Sequence, residues 1–153
     1  MNIIISTSTF SDRHDDNSPK FINNLILNFN AKHNYFVLYP RKTLKPDKNL
    51  LPNNITLIPY RYIFPNSLSN LTEIGLLPSI KKNKLNAIKI VFLLVSQFFY
   101  LLYLIIKLKP QIIYSHWVFP QAFIGSIFSK FFNIKTVFTS HGSDLKILSK
   151  MGN

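Results

Sequence analysis

Two histidines stand at matching places in this chain. His116 follows the run "QIIYS" and His141 follows "VFTS". An imidazole exchanges protons near neutral pH and also donates hydrogen bonds to hydroxyls or phosphates. Each histidine is expected directly after a strand, the end at which open α/β sheets bind ligands. The alternative for each is an imidazole pairing with a nearby backbone carbonyl. Gly142, beside His141, permits a left-handed or cramped backbone and the close approach of a ligand. Ser143 or its backbone N–H faces an anion at the start of a last helix, or Asp144 simply caps that helix. Trp117 and Phe119 either stack on a sugar ring or, as the plainer reading, pack beside a helix.

A second group lies near the amino terminus. Ser6, Thr7, Ser8 and Thr9 supply hydroxyls, and a helix start at residues 18–20 offers unpaired N–H groups beside Lys20. Together these suit a phosphate or a sugar hydroxyl. Neither G-x-G-x-x-G nor G-x-x-x-x-G-K-[ST] occurs, which disfavours dinucleotide reduction and P-loop hydrolysis. Asp12, His14, Asp15 and Asp16 have metal-ligand chemistry, but a short acidic loop is more often solvated, and no metal is expected. The chain has no cysteine, so disulfides, thiolate metal sites and cysteine nucleophiles are excluded.

The elements that must position these groups read as alternating strands and helices. Asn2–Ser6 is a continuous apolar run, as a strand buried on both faces requires. A helix opened by Pro19, capped by Asn17 or Ser18, is expected to run to about Ala31 with Phe21, Leu25 and Phe29 on one face. Strands follow at Tyr35–Tyr39 and Ile55–Pro59, then an irregular connection. Lys84–Leu108 is the strongest helix. It contains seventeen consecutive uncharged residues, "IVFLLVSQFFYLLYLII", at the lower limit for a membrane span. Lys89, Ser96, Tyr100, Tyr103 and Lys107 form one stripe at helical spacing. A helix packed under a sheet with one solvated edge is the first reading, an interfacial membrane helix the second, and a true span the third. Strands at Gln111–Ser115 and Lys135–Thr139 flank a helix from Pro120 to Phe132, and "LKILSK" suggests a last helix. Such alternation predicts an α/β fold, Rossmann-like, with three αβα layers and a mostly parallel sheet.

Charge narrows the partners. There are 18 basic and 6 acidic residues, a net charge of +12, which attracts polyanions. Only three of the basic residues are arginines, Arg13, Arg41 and Arg61, and proteins that read bases or clamp phosphates favour arginine. No nucleic-acid partner is expected, and the charge is either compositional or suited to anionic lipid. The start, "MNIII", reaches polar residues too soon for a secretory signal and lacks a basic leader, so a cytoplasmic location is expected.

The stretch "KPQIIYSHWVFPQAFIGSIFSKFFNIKTVFTSHGSDLKILSK" resembles the second half of the amino-terminal domain of family-4-like glycosyltransferases with the GT-B fold. "HWVFPQ" after the strand and the strand end "T-x-H-G-S-D" carry the resemblance, and "IIISTSTF…SPKFI" looks like that family's first strand, loop and helix. The resemblance implies one half of a GT-B fold: residues 1–153 as an amino-terminal Rossmann-like domain on the acceptor side, with a separate donor-binding half beyond Asn153. It implies transfer of a sugar, with retained configuration, from a nucleotide-sugar donor to a glycan or lipid-linked acceptor in cell-surface polysaccharide synthesis, with no cofactor and no metal. His141 would be the catalytic residue in the interdomain cleft. Thr7, Ser8, Thr9 and Phe10 would approach the donor phosphates, although this loop lacks the family's usual glycines. His116 and Trp117 would line the acceptor side beside Gly142, Ser143 and Asp144. Without the donor half the chain is expected to be inactive. Surplus lysine and the apolar helix, or the aromatic loop Tyr60–Phe64, suit peripheral attachment at the inner face of the cell membrane. Two alternatives remain: a non-catalytic, truncated Rossmann-like module that binds a membrane surface or partner protein, and a small membrane protein spanning once at Leu85–Leu108.

Overall fold

A computed structural model describes residues 1–12, 20–41, 51–65, 71, 83 and 86–142. Five strands form one parallel sheet: β1 (Asn2–Ser6), β2 (Asn34–Pro40), β3 (Ile55–Tyr60), β4 (Ile112–His116) and β5 (Lys135–Thr139). Their spatial order is β3-β2-β1-β4-β5. Among the described residues, helices α1 (Phe21–Leu27), α2 (Asn86–Leu108) and α3 (Phe123–Phe132) pack on it. The result is the expected Rossmann-like, three-layer α/β architecture.

Alternation along β1 explains its unbroken apolar run. Ile3 and Ile5 point to the α1 side, where they meet Ile22, Ile26, Tyr35 and Val37. Ile4 points to the other side, into a cluster with Leu38, Leu93, Leu101, Ile113 and Phe128. A central parallel strand covered on both faces has no solvated side on which to place polar residues. Two prolines sit in the sheet without breaking it. Arg41 N donates to Tyr60 O at 2.7 Å and Thr7 N donates to Leu38 O at 3.1 Å. The N–H groups of β2 therefore alternate between neighbours, and the nitrogen of Pro40 falls on the β1 side after β1 has ended. Pro59 lies in edge strand β3, its nitrogen directed away from β2, where no ladder bond is lost.

Several expected boundaries are corrected. Helix α1 ends at Leu27 rather than Ala31, because the Asn28 side chain donates to Asn24 O at 2.7 Å and takes the carbonyl that the next helical turn would have used. Its core face is Ile22 and Ile26. Phe21 and Leu25 are over a third exposed, and Phe29 only flanks the cluster. The expected caps at Asn17 and Ser18, and Pro19, lie outside the described residues, as do the last helix and the loop residues His14, Asp15 and Asp16. Strand β4 runs one residue further than expected, so His116 is its last member, paired with Thr139. A wide turn, Val118–Ala122, with Phe119 extended, separates β4 from α3. Helix α2 ends through Lys109 in the left-handed region and Pro110, a stop signal of the usual kind.

Candidate functional site

The chain winds outward from β1 through β2 to β3, then returns to β4 on the opposite side of β1. This reversal opens a crevice at the carboxyl ends of β1 and β4, where sheets of this class bind ligands. Ser6 and Ser115 are direct partners there. Both, with Thr7 and His116, are buried.

Alternation then divides the rim. Ser6 and Ser115 face the α2/α3 side. Ser6 Oγ accepts from Gln97 Nε2 at 3.1 Å, and Ser115 Oγ donates to Gln121 O at 3.3 Å. Close packing of α3 makes the second contact possible: a Cβ on Gly125 would stand 3.1 Å from Ser115 Oγ and 3.3 Å from Ile113 Cγ2. His116 faces the α1 side with Tyr114, their ring centroids 4.7 Å apart. There it meets His141. The two imidazoles stack with centroids 5.3 Å apart and planes 19° from parallel, and His116 Nδ1 lies 3.1 Å from His141 Nε2. The parallel pairing of β4 and β5 places their carboxyl ends side by side, which is why residues separated by 25 positions can share a proton.

The surroundings favour the neutral form. His116 is wholly buried. Its pKa is lowered from 6.5 to about 4, first by desolvation and then by His141. Its Nε2 has no partner among the described residues. A buried N–H without a partner costs more than a bare ring nitrogen in the same place, so we assign the shared proton to His116 Nδ1, which donates to His141 Nε2. Two aromatic walls hold the His141 ring: Phe21 at 4.6 Å and Trp117 at 4.8 Å between centroids. Trp117 reaches this position through a left-handed backbone, φ 73, anchored by its N–H to Thr139 O at 2.9 Å. Tyr114 Oη and Thr139 Oγ1, 2.8 Å apart, tie the strands together beneath. Gly142 is exposed, with φ +80 and open space where a Cβ would stand. Backbone conformation, not crowding, therefore calls for glycine there.

The first loop is more structural than the sequence suggests. Thr7 Oγ1 donates to Thr9 O at 2.8 Å and accepts from Thr9 N at 3.3 Å, so its hydroxyl is used in closing the turn. Ser8 is nearly buried. Thr9 Oγ1 is buried without a partner among the described residues. Phe10, the last of the loop residues expected near the donor phosphates, is wholly buried, its ring 5.2 Å from Tyr39. Asp12 is buried as well and accepts from Tyr39 Oη at 3.0 Å. Among the described residues no three His, Cys, Asp or Glu side chains gather as a metal site. Ser143 and Asp144 lie outside the described residues.

Three contributors were missed in the sequence. Helical spacing groups Phe21 with Leu25 and Phe29 on one face, and its place in the first turn of α1 brings it over His141. Gln97 sits on the otherwise apolar buried stripe of α2 with Leu93, Leu101, Leu104 and Ile105; one amide in such a stripe was the available signal. Gln121 is fully buried, and only the flanking proline hinted at an ordered turn.

A scan against protein families matches residues 50–152 to the family described as glycosyl transferase 4-like. The chain belongs to that family. The matched segment covers well over half of the chain and contains His116, Trp117, His141 and Gly142, together with Ser143 and Asp144, while the Thr7–Phe10 loop precedes it. Searches of curated proteins and of solved structures returned no match. As a glycosyltransferase 4-like domain, the chain is a transferase domain whose substrates are a sugar donor and an acceptor.

Proposed function

We propose that this chain is the acceptor-side, amino-terminal half of a retaining GT-B glycosyltransferase. It moves a sugar from a nucleotide-sugar to a glycan or lipid-linked acceptor during cell-surface polysaccharide synthesis, in the cytoplasm at the inner face of the cell membrane. The observation that carries this reading is the stacked His116–His141 pair at the carboxyl ends of adjacent parallel strands, inside the segment that matches the family. His141 is the catalytic residue. Its imidazole is placed to meet a sugar hydroxyl, where it orients the transferred sugar and stabilises charge that develops on it. His116 is a positioning residue: its buried Nδ1–H fixes the tautomer and plane of His141. Trp117 and Phe21 offer apolar faces to the C–H side of a pyranose ring. Neutralising the leaving diphosphate is the largest electrostatic task of the reaction, and it falls to the donor-binding half.

The test is sugar transfer by the complete enzyme, assembled with its donor-binding half, from a panel of nucleotide-sugars to a lipid-extracted acceptor. His141→Ala is expected to lower turnover by about 10²-fold or more with an unchanged circular dichroism spectrum. Unchanged turnover in this variant removes His141 from the site. A folded, complete protein that neither binds nor transfers any nucleotide-sugar supports the non-catalytic module instead.

A further inference from the structure

The side of α2 that points away from the sheet is apolar rather than polar. Ile88, Phe92, Val95, Phe99 and Ile106 are 47–62% exposed and recur at spacings of three, four and seven residues, which aligns them along one stripe of the helix. The expected polar edge exists: Tyr103 and Lys107 are exposed beside this stripe, but it borders the apolar surface without replacing it. Next to the stripe, Phe119 and Phe123 are more than half exposed. Between α2 and α3 runs a groove of about 260 Å³ whose walls are apolar side chains only, from Leu94 and Phe98 to Ile124 and Ile127. At the far end of α3, Phe131 is 77% exposed. Contiguous apolar surface of this kind marks a contact site.

Charge identifies the occupant. Residues 86–142 contain five lysines and no aspartate, glutamate or arginine. Lys107, Lys109 and Lys130 are exposed at the ends of α2 and α3. Lys107 Nζ lies 5.4 Å from the centre of the Tyr103 ring and donates to its hydroxyl at 3.0 Å. Long cationic side chains around an aromatic and aliphatic face suit the boundary between head groups and acyl chains.

We propose that the α2/α3 face docks on an anionic lipid bilayer, with its apolar side chains at the acyl boundary and its lysines on lipid phosphates. A second copy of the chain fits less well: self-pairing brings lysines together, and this whole segment has no carboxylate to meet them. A spanning helix also fits less well. Helix α2 is long and apolar enough to cross a membrane, but Leu93, Gln97, Leu101 and Leu104 are committed to the sheet. Phe119 packs beside Phe123 on this face, their ring centroids 6.2 Å apart. Docking gives a surface to the membrane location proposed above and rests on that reading only for its biological purpose. Its test measures binding, so either can fail alone.

Flotation of the complete protein with phosphatidylcholine vesicles, with and without phosphatidylglycerol, tests the proposal at low and high salt. The protein is expected to float with the anionic vesicles at low salt and to be released at high salt. Lys107→Gln is expected to weaken binding roughly fivefold, and the double variant Phe99→Ser/Phe123→Ser by about tenfold or more, with an unchanged circular dichroism spectrum. No flotation at low salt, or undiminished flotation of the double variant, overturns the proposal. Resistance to alkaline extraction from membranes assigns α2 to a span. A dimer in sedimentation velocity that the double variant abolishes, without flotation of the wild type, assigns the face to a second copy.

Discussion

Side chains that leave β4 toward α1 end in Tyr114 and His116, whereas those that leave toward α2 and α3 end in Ile113 and Ser115. On the α1 side the last strand turn is occupied by an imidazole pair walled by Phe21 and Trp117. On the opposite side the core continues outward into side chains that no described residue covers, from Phe99 to Phe131. One sheet thus supports two kinds of incomplete surface. The first is polar groups gathered within apolar walls, which suits a small polar ligand. The second is apolar surface bordered by cations, which suits an extended partner. Desolvation is common to both: it keeps His116 neutral on one side and makes exposed phenylalanines unfavourable in water on the other.

The comparison breaks most severely if the rings on the two sides behave alike under truncation. Phe10 and Phe131 carry the same side chain in opposite environments. Phe10→Ala, which empties a wholly buried site against Tyr39, is expected to destabilise the fold by about 3–5 kcal/mol in urea denaturation. If that variant were as stable as the wild type, the first loop would not belong to the core.

The next effect sharpens the account of the histidine pair. The folded His116 titrates at about 4 and the ordinary value is 6.5. The unfolded chain takes up a proton as the pH falls through 6.5, while the folded chain stays neutral until about 4. This residue therefore contributes stability that is fully present above pH 6.5 and is lost as the pH falls to about 4. The loss is on the order of 2 kcal/mol, allowing for partial solvent screening. Carboxylates titrate in the lower part of this window as well, so the informative measurement is the difference between wild type and His116→Gln. The variant is expected to show the shallower loss of stability between pH 7 and 4.5, and equal slopes would mean that His116 is not desolvated. The smallest effect is on the other face: Phe131→Ser should change stability by no more than about 0.5 kcal/mol, since that ring is exposed in the folded and unfolded states alike.

Much of this was legible in the residues. The apolar run of β1, the strand ends at Ser115 and Thr139, and the alternation of strands with helices led directly to a parallel sheet, because a strand covered on both faces must be apolar throughout. The two histidines were legible for a related reason, since they stand where strands of such a sheet end. Less legible was the burial of each ring. Spacing grouped Phe21 with Leu25 and Phe29, but only the packed structure shows that Ile22 and Ile26 form the core face and that Phe21 stands over His141. The loop "YRYIF" looked like an exposed aromatic patch, whereas Tyr60 and Tyr62 are buried and only Phe64 is open. An aromatic residue has the same letter whether it fills a core or borders a ligand.

Sequence by itself determined the class of the fold, the apolar character of each element and the absence of acidic residues from α2 through Gly142, since periodicity and composition are properties of single elements. Tertiary structure alone decided that β4 lies between β1 and β5. That adjacency brings His116 and His141 within 3.1 Å and anchors Trp117 in a left-handed backbone that no residue type announced; packing likewise decided that one side of α2 is not covered by any described residue. The reason is physical: spacing along a chain tells which side chains share a face, but which neighbour that face meets, or whether it meets one at all, depends on how the elements pack.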